Sequence, residues 1–309
     1  MRNKIAVIGS GFVGATTAQR LAEKDLGDVV LVDILDGIPQ GKALDMYESA
    51  AIELFSSRVQ GTNDYSDIAG SDIVVVTAGL ARKPGMTRED LLLKNAQIIE
   101  SICREIVRNA PDAIVIMVTN PLDIMTRYAL HITQFPLQRV IGMAGVLDAA
   151  RMCAFIAMEL DVSPVDVNAM VLGGHGDAMV PLARYTTVSG IPITELLDET
   201  AIEQINNRTR DGGAEIVKLL KTGSAYYAPS SGAVKMVEAI LMDSRRIMPC
   251  SALLNGQYGL DNVCIGVPVK LGRDGVLDII ELNLTGEERA SLHASAKVVS
   301  DNFNVLIKR

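Results

Sequence analysis

Apolar residues in the first half of the chain fall in short unbroken runs. KIAVIG (4–9), VVLVD (29–33), DIVVVTAG (72–79) and AIVIMVTNP (113–121) carry almost no polar side chain before their last residues. A strand that is apolar on both faces has no solvent side, so it belongs in a parallel sheet covered by helices above and below. VQGTND is a weaker strand. Between the runs the period changes to helical, from the glycine-rich turn to Leu26, through GKALDMYESAAIEL (41–54), and along EDLLLKNAQIIESICREIVRNA (89–110). Strands alternating with helices predict an α/β, doubly wound parallel sheet.

After about residue 145 the pattern changes. LDAARMCAFIAMEL (147–160) reads as a helix, and VNAMVLGGHGDAM (167–179) as a strand running into a glycine turn. Helical periodicity returns at 199–221 and 231–243, strand-like segments follow at 247–254 and 262–271, and a final helix covers 286–308. No long linker and no internal repeat interrupts the chain. The expected division is an α/β domain over 1–145 and an α+β domain over 146–309.

Composition narrows the function. The chain has 309 residues, 49% of them hydrophobic, which is ample for two domains or one large α/β unit. Trp is absent and aromatics are few, so aliphatic side chains must fill the core. A net charge of −8 excludes an electrostatic nucleic-acid binder. Any anionic ligand must be met by local cations. Cys103, Cys153, Cys250 and Cys264 are widely spaced, with no CxxC. They read as buried thiols of a reducing compartment, and no metal site is expected. No apolar run reaches transmembrane length, so no membrane contact is expected and the location read is cytoplasmic. The N-terminus, MRNKIAVIGSGFVGATTA, superficially mimics a signal peptide.

The glycines in it have another explanation. GSGFVG matches G-x-G-x-x-G through Gly9, Gly11 and Gly14, with Ser10, Phe12 and Val13 between them. The motif is weak alone, but here it follows a strand, opens a helix, and precedes Asp33 at the end of the next strand. Gly9 permits the tight turn, Gly11 lets backbone approach a pyrophosphate, and Gly14 lets helix and strand pack closely. The helix N-terminus adds free N–H groups and partial positive charge. Asp33 can accept hydrogen bonds from the adenosine ribose hydroxyls and would repel a 2′-phosphate, which predicts NAD over NADP. The alternatives are an empty glycine turn and a capping aspartate. The first domain is therefore expected to be a Rossmann dinucleotide-binding domain.

GGHGD (173–177) holds one of only three histidines. It is either a polar turn or a general acid/base that a substrate must approach closely. Asp177 reads as a turn residue, and His131 and His293 as structural. Asp148 and Arg151 are three apart on a predicted helix, about 60° apart around its axis. They form either a surface ion pair or part of a site, and the apolar character of the helix favours the latter. Arg82 and Arg88 flank a Gly-Pro loop after DIVVVTAG, over the carboxyl ends of the strands, where doubly wound folds bind ligands. Asn120, in TNP (119–121), lies on the same rim. Taken alone, a basic loop is more simply a solvated turn.

GSGFVGATTA, LVD, TAGLARKPGMTRED, VTNPLD, GVLDAAR and GGHGD occur in this order. With these separations the chain closely resembles the lactate/malate dehydrogenase family along nearly its whole length, and within it the lactate-dehydrogenase-like malate enzymes. The resemblance implies a cytoplasmic NAD enzyme of central metabolism, acting on malate and oxaloacetate and assembled as a homo-oligomer, a tetramer rather than a dimer. It implies His175 as general acid/base, Asp148 as its partner, Arg151 as the clamp on the C1 carboxylate, and Arg88 as the mobile cation that polarises C2. It implies Asn120 as a substrate and cofactor contact, and Val118 and Asn95 as cofactor contacts. Arg82 would pair with the second carboxylate of oxaloacetate and reject pyruvate. Ala225, in GSAYYAP, leaves room for the larger substrate. Three rivals stand beside this reading. One is a dehydrogenase of lactate or another 2-hydroxy acid. Another is an NAD-dependent glycoside hydrolase, which would need a metal. The third is an NAD-binding redox sensor without turnover, which would need neither His175 nor the arginines.

Overall fold

The apolar runs become neighbouring strands. In the computed structural model, which describes residues 2–80 and 87–307, the first half forms six parallel strands. They are β1 (Lys4–Ile8), β2 (Asp28–Val32), β3 (Val59–Thr62), β4 (Ile73–Val76), β5 (Ile114–Met117) and β6 (Val140–Gly142). Their order is β3-β2-β1-β4-β5-β6, and every neighbouring pair is parallel. All four residues of β4 are fully buried, each contributing about 2 kcal/mol by leaving water. The connecting helices are α1 (Phe12–Glu23), α2 (Ile38–Glu48), the single turn α3 (Ala50–Glu53), α4 (Arg88–Asn109) and α5 (Leu122–Thr133). Chain order reverses between β1 and β4, and that switch point is where such sheets open a crevice.

The second half begins with α6 (Gly145–Leu160). It continues through β7 (Val167–Asn168), β8 (Val171–Gly173), β9 (Met179–Pro181), β10 (Thr187–Val188) and β11 (Ile191–Pro192). The helices α7 (Ile193–Leu196), α8 (Glu199–Leu220) and α9 (Tyr227–Leu241) follow, then β12 (Arg246–Asn255), β13 (Asp261–Gly272), β14 (Gly275–Ile279) and α10 (Gly286–Ile307). Strands β12 and β13 form a long antiparallel ribbon. β12 joins β6 where Ser251 faces Gly142, and β13 joins β8 where Gly266 faces Gly173. Parallel and antiparallel strands are thus one eleven-stranded sheet. Glycine makes both junctions possible. A Cβ on Gly266 would stand 2.6 Å from the Gly173 carbonyl oxygen, and one on Gly142 2.7 Å from Ser251 Cβ. β7, β10 and β11 form a separate small sheet.

Several elements differ from the expected pattern. The helix over 41–54 starts earlier and is divided at Ser49 into α2 and α3, ending where Leu54 turns left-handed at φ 60°. The single strand over 167–179 is two short ones, β7 and β8, and β8 stops at Gly173 with φ +87°. The helix over 231–243 begins earlier, at Tyr227, where serines and a proline blur the apolar period. α5, β6 and β14 are additional. Each follows too closely on a proline or is too short to show a period of its own.

Candidate active site

The carboxyl ends of β1, β2 and β4 border a cleft of about 890 Å³ lined by Gly9, Ser10, Gly11, Asp33, Gly79 and Leu80, among others. Gly9 has φ +101°, and a Cβ there would stand 2.7 Å from Ala78 N. Gly14 is tighter still, because its Cβ would lie 1.8 Å from the Gly9 carbonyl oxygen. Those two glycines serve the protein itself. Gly11 differs, since a Cβ there would meet nothing within 4 Å. Its lack of a side chain leaves the N-terminus of α1 open to an incoming pyrophosphate. Phe12, the first residue of α1, is exposed and stacks on Tyr226 at 5.1 Å between ring centroids. The Val13 carbonyl accepts from Ser230 Oγ at 2.9 Å, which ties α1 to α9.

Asp33 closes the cleft at the end of β2. Its Oδ2 accepts from Ser10 N at 2.6 Å and Ser10 Oγ at 2.8 Å, and its Oδ1 from Leu35 N at 3.1 Å. Burial pushes its pKa up, but these donors outweigh burial and hold it below the ordinary aspartate value. A fixed carboxylate at this edge suits ribose hydroxyls and repels a phosphate. The donors, the open Gly11 and the cleft volume together fit a dinucleotide. Lys42 Nζ donates to the Ser10 carbonyl at 2.5 Å, a support that the glycine motif alone does not reveal.

The second cluster is made by α6 and the loop after β8. His175 Nδ1 lies 3.0 Å from Asp148 Oδ2, and Arg151 Nη1 lies 3.4 Å from Asp148 Oδ1. Asp148 is only 2% exposed and sits in the first turn of α6, where the helix end favours its charge. Burial works against a protonated His175, but the charge and hydrogen bond of Asp148 prevail and raise its pKa above the ordinary histidine value. Asp148 occupies Nδ1, which leaves Nε2 for a substrate. Burial pulls the Arg151 pKa down and Asp148 opposes it. The guanidinium lies along Gly212 and Gly213 of α8, and its buried Nε has no protein partner. An incoming carboxylate would satisfy it. The i,i+3 pair of the sequence is therefore a partly buried triad with His175, centred on buried Asp148, and not a surface ion pair.

Asn95 and Asn120 meet at the rim. Asn95, 1% exposed, accepts from Leu80 N at 2.8 Å and donates to the carbonyls of Leu80 and Asn120 at 3.2 and 2.7 Å. It braces the loop entrance against the end of β5, whereas Asn120 is exposed. Val118 is half-buried, with its N–H on Val76 O at 2.9 Å. Arg82 lies outside the described residues, as does the side chain of Arg88, whose backbone opens α4. Thr87 caps that helix reciprocally with Asp90. His293 Nε2 lies 2.9 Å from the Tyr258 carbonyl, and His131 stacks on Tyr128, so both are held by structure. All four cysteines are free, and burial pushes the Cys103 pKa to about 12. Among the described residues no group of His, Cys, Asp and Glu is placed to hold a metal, and no helix is long and apolar enough to cross a membrane.

One residue of the site was not anticipated. Asp123, in VTNPLD, accepts the His175 backbone N–H through Oδ2 at 2.7 Å. An acid in the first turn of an apolar helix directly after Asn-Pro was the available signal.

Comparison with known proteins agrees with this geometry. Residues 3–142 match the NAD binding domain of lactate/malate dehydrogenase, and residues 145–308 match that family's alpha/beta C-terminal domain. A malate dehydrogenase of Chlorobium phaeobacteroides (strain BS1) is 59% identical over 304 residues, covering 98% of each chain. The malate dehydrogenase structure from Salinibacter ruber is 52% identical, with a TM-score of 0.95 over 99% of this chain and 98% of that one. The Cryptosporidium parvum lactate dehydrogenase, solved with lactic acid and NAD, is 43% identical, with a TM-score of 0.97 over 100% of this chain and 99% of that one. Since both halves match end to end and the cleft has the donors a dinucleotide needs, the chain belongs to the lactate/malate dehydrogenase family, NAD-dependent oxidoreductases.

Proposed function

We propose that this enzyme is a malate dehydrogenase, interconverting (S)-malate and oxaloacetate. The observation that carries the reading is the partly buried His175–Asp148–Arg151 cluster, an acid/base joined to a carboxylate clamp. When bound, NAD supplies the hydride acceptor for C2. His175 Nε2 takes the C2 hydroxyl proton as malate is oxidised and returns it in reduction. An imidazole suits this because it titrates near neutral pH. Asp148 holds the Nδ1–H tautomer and stabilises the imidazolium. Arg151 grips the C1 carboxylate in its planar fork. Arg88 polarises the C2 oxygen and Asn120 hydrogen-bonds the substrate. Gly9, Ser10, Gly11, Phe12, Val13 and Gly14 seat the pyrophosphate, Asp33 takes the ribose, and Val118 lines the nicotinamide side. Asn95 acts on the cofactor indirectly, through the Leu80 and Asn120 backbone it holds.

Arg82 selects the substrate. Oxaloacetate brings a second carboxylate into a closed pocket, where an unpaired charge is costly, and Arg82 neutralises it. With pyruvate, Arg82 itself would be unpaired, so one residue both selects and rejects. Names of the relatives support the same choice. Following NADH loss with oxaloacetate and with pyruvate tests it. Strong preference for oxaloacetate is expected, and Arg82→Gln should shift the kcat/KM ratio toward pyruvate. An unchanged ratio removes Arg82 from the role.

Assembly as a cytoplasmic homotetramer completes the proposal. Leu44, Tyr47, Ile52 and Leu54, along α2 and α3, are at least half exposed and support self-association. Sedimentation at micromolar concentration should give four chains per particle, and a monomer would refute it.

A further inference from the structure

His175 belongs to a glycine loop that carries little packing of its own. Two side chains from distant helices hold its backbone. Ser295 Oγ of α10 accepts from Gly174 N at 2.8 Å, and Asp123 Oδ2 of α5 accepts from His175 N at 2.7 Å. Asp123 is 4% exposed. Its other oxygen, Oδ1, is buried with no hydrogen-bond partner, and so is the hydroxyl of Ser251 on β12. Ser251 faces the carboxyl, and its hydroxyl can either donate to Oδ1 or accept a carboxyl proton from it, so the charges around the pair decide between the two.

The charges around Asp123 favour the protonated carboxyl. His175 faces it from the β8 loop, Asp148 from α6 and Cys264 from β13. Arg127, one turn along α5, directs its Nη2 away to Asn262 Oδ1 at 2.5 Å and lies over the Phe303 ring. No Lys or Arg makes a hydrogen bond or ion pair to Asp123 among the described residues. An ionised carboxylate here would lie buried beside ionised Asp148, and the one cation facing it, the His175 imidazolium, is already paired with Asp148, so its charge is costly. Burial, with Asp148 adding to it, pushes its pKa up, and the facing Ser251 hydroxyl, the His175 N–H and the His175 charge only partly oppose the shift.

We propose that Asp123 is a neutral carboxylic acid that positions His175: Oδ2 accepts the His175 N–H, and the carboxyl proton lies between Oδ1 and Ser251 Oγ. Asp148 then supplies the charge and Asp123 the placement. Placement matters because Nδ1 must reach Asp148 while Nε2 points at the substrate. Asp123 is also three residues after Asn120, so one short stretch of α5 and the turn before it serves both the rim and the acid/base. The inference rests on the reading of His175 as acid/base, and its test is chosen to be separable from that reading.

Asp123→Asn keeps the acceptor oxygen and the neutral charge, whereas Asp123→Ala removes both. Three readouts apply: kcat and KM, the NADH Kd by fluorescence, and the pH midpoint of His175 acylation by diethyl pyrocarbonate, followed by peptide mass spectrometry. The acylation midpoint needs no turnover. The Ala variant should lose kcat by about 30-fold with KM and NADH Kd within about threefold. Its His175 midpoint should fall toward the ordinary histidine value as the imidazole leaves Asp148. The Asn variant should restore kcat to within about threefold and the native midpoint to within about 0.3 unit. If Ala does not fold, Asp123→Ser, too short to reach the loop, replaces it. An Asn variant whose midpoint drops by about a unit would show that Asp123 is charged, overturning the proposal. An Ala variant with native kcat and native midpoint would show that the residue positions nothing. A native midpoint pattern in an enzyme without turnover would spare Asp123 and count against the function instead.

Discussion

In the nucleotide cleft the working groups are mostly backbone, and they come from one stretch of chain. Gly9 to Asp33 supplies the turn, the helix N-terminus and the ribose carboxylate, and the bond from Ser10 to Asp33 spans only 23 residues. In the acid/base centre the working groups are side chains brought from far apart. His175 reaches back 27 residues to Asp148 and 52 to Asp123, and Gly174 reaches 121 residues to Ser295. The cleft is a property of a local fold, and needs only that glycines stand where a Cβ would collide or obstruct. The centre exists only once the sheet has joined its two halves at Gly142 and Gly266. Damage to the first should therefore affect binding or local packing. Damage to the second should affect turnover and the hold on substrate while leaving NADH binding intact.

The largest separation is expected from His175→Gln. It should lower kcat by about 10³-fold, roughly 4 kcal/mol, while the NADH Kd stays within twofold. Comparable loss of NADH binding would erase the distinction between the regions. Next is Gly14→Ala, whose methyl would sit 1.8 Å from the Gly9 carbonyl oxygen. Overpacking against backbone should cost about 3 kcal/mol, seen as a lower Tm without ligand. Gly11→Ala sharpens the comparison, because its methyl meets no protein atom within 4 Å. Tm should hold while NADH binds about tenfold more weakly, about 1.4 kcal/mol, and a falling Tm with unchanged Kd would contradict the separate roles of the two glycines. Smallest is Asp33→Asn, with about fivefold weaker NADH and a relative gain for NADPH, read by the two KM values.

The same contrast explains what could be read from the sequence. The apolar runs predicted β1, β2, β4 and β5 because a strand buried on both faces leaves a continuous apolar signature. The glycine motif located the cleft because its chemistry is contiguous. His175, Asp148 and Arg151 were visible as candidates, but their union was not, since no spacing encodes a contact across 27 residues. The resemblance to a family supplied that step. Asp123 escaped notice because a carboxyl that acts through a backbone N–H looks like any helix-start acid. Asn95 was expected at the cofactor and is seen as a brace, since a buried amide with every bond to protein cannot be told from a ligand contact by residue type. The eleven-stranded continuity of the sheet was hidden as well, because β6 is three residues long and its junction with β12 is a single pair.

The most direct measurement is the pH dependence of kcat/KM in both directions. Reduction of oxaloacetate needs protonated His175, and oxidation of malate needs it neutral. Asp148 raises the His175 pKa above its ordinary value of 6.5. The account predicts reduction that is fast at low pH and falls as pH rises through that raised pKa, with oxidation rising across the same interval. Profiles that run parallel, or cross well below 6.5, would contradict His175 as the acid/base paired with Asp148.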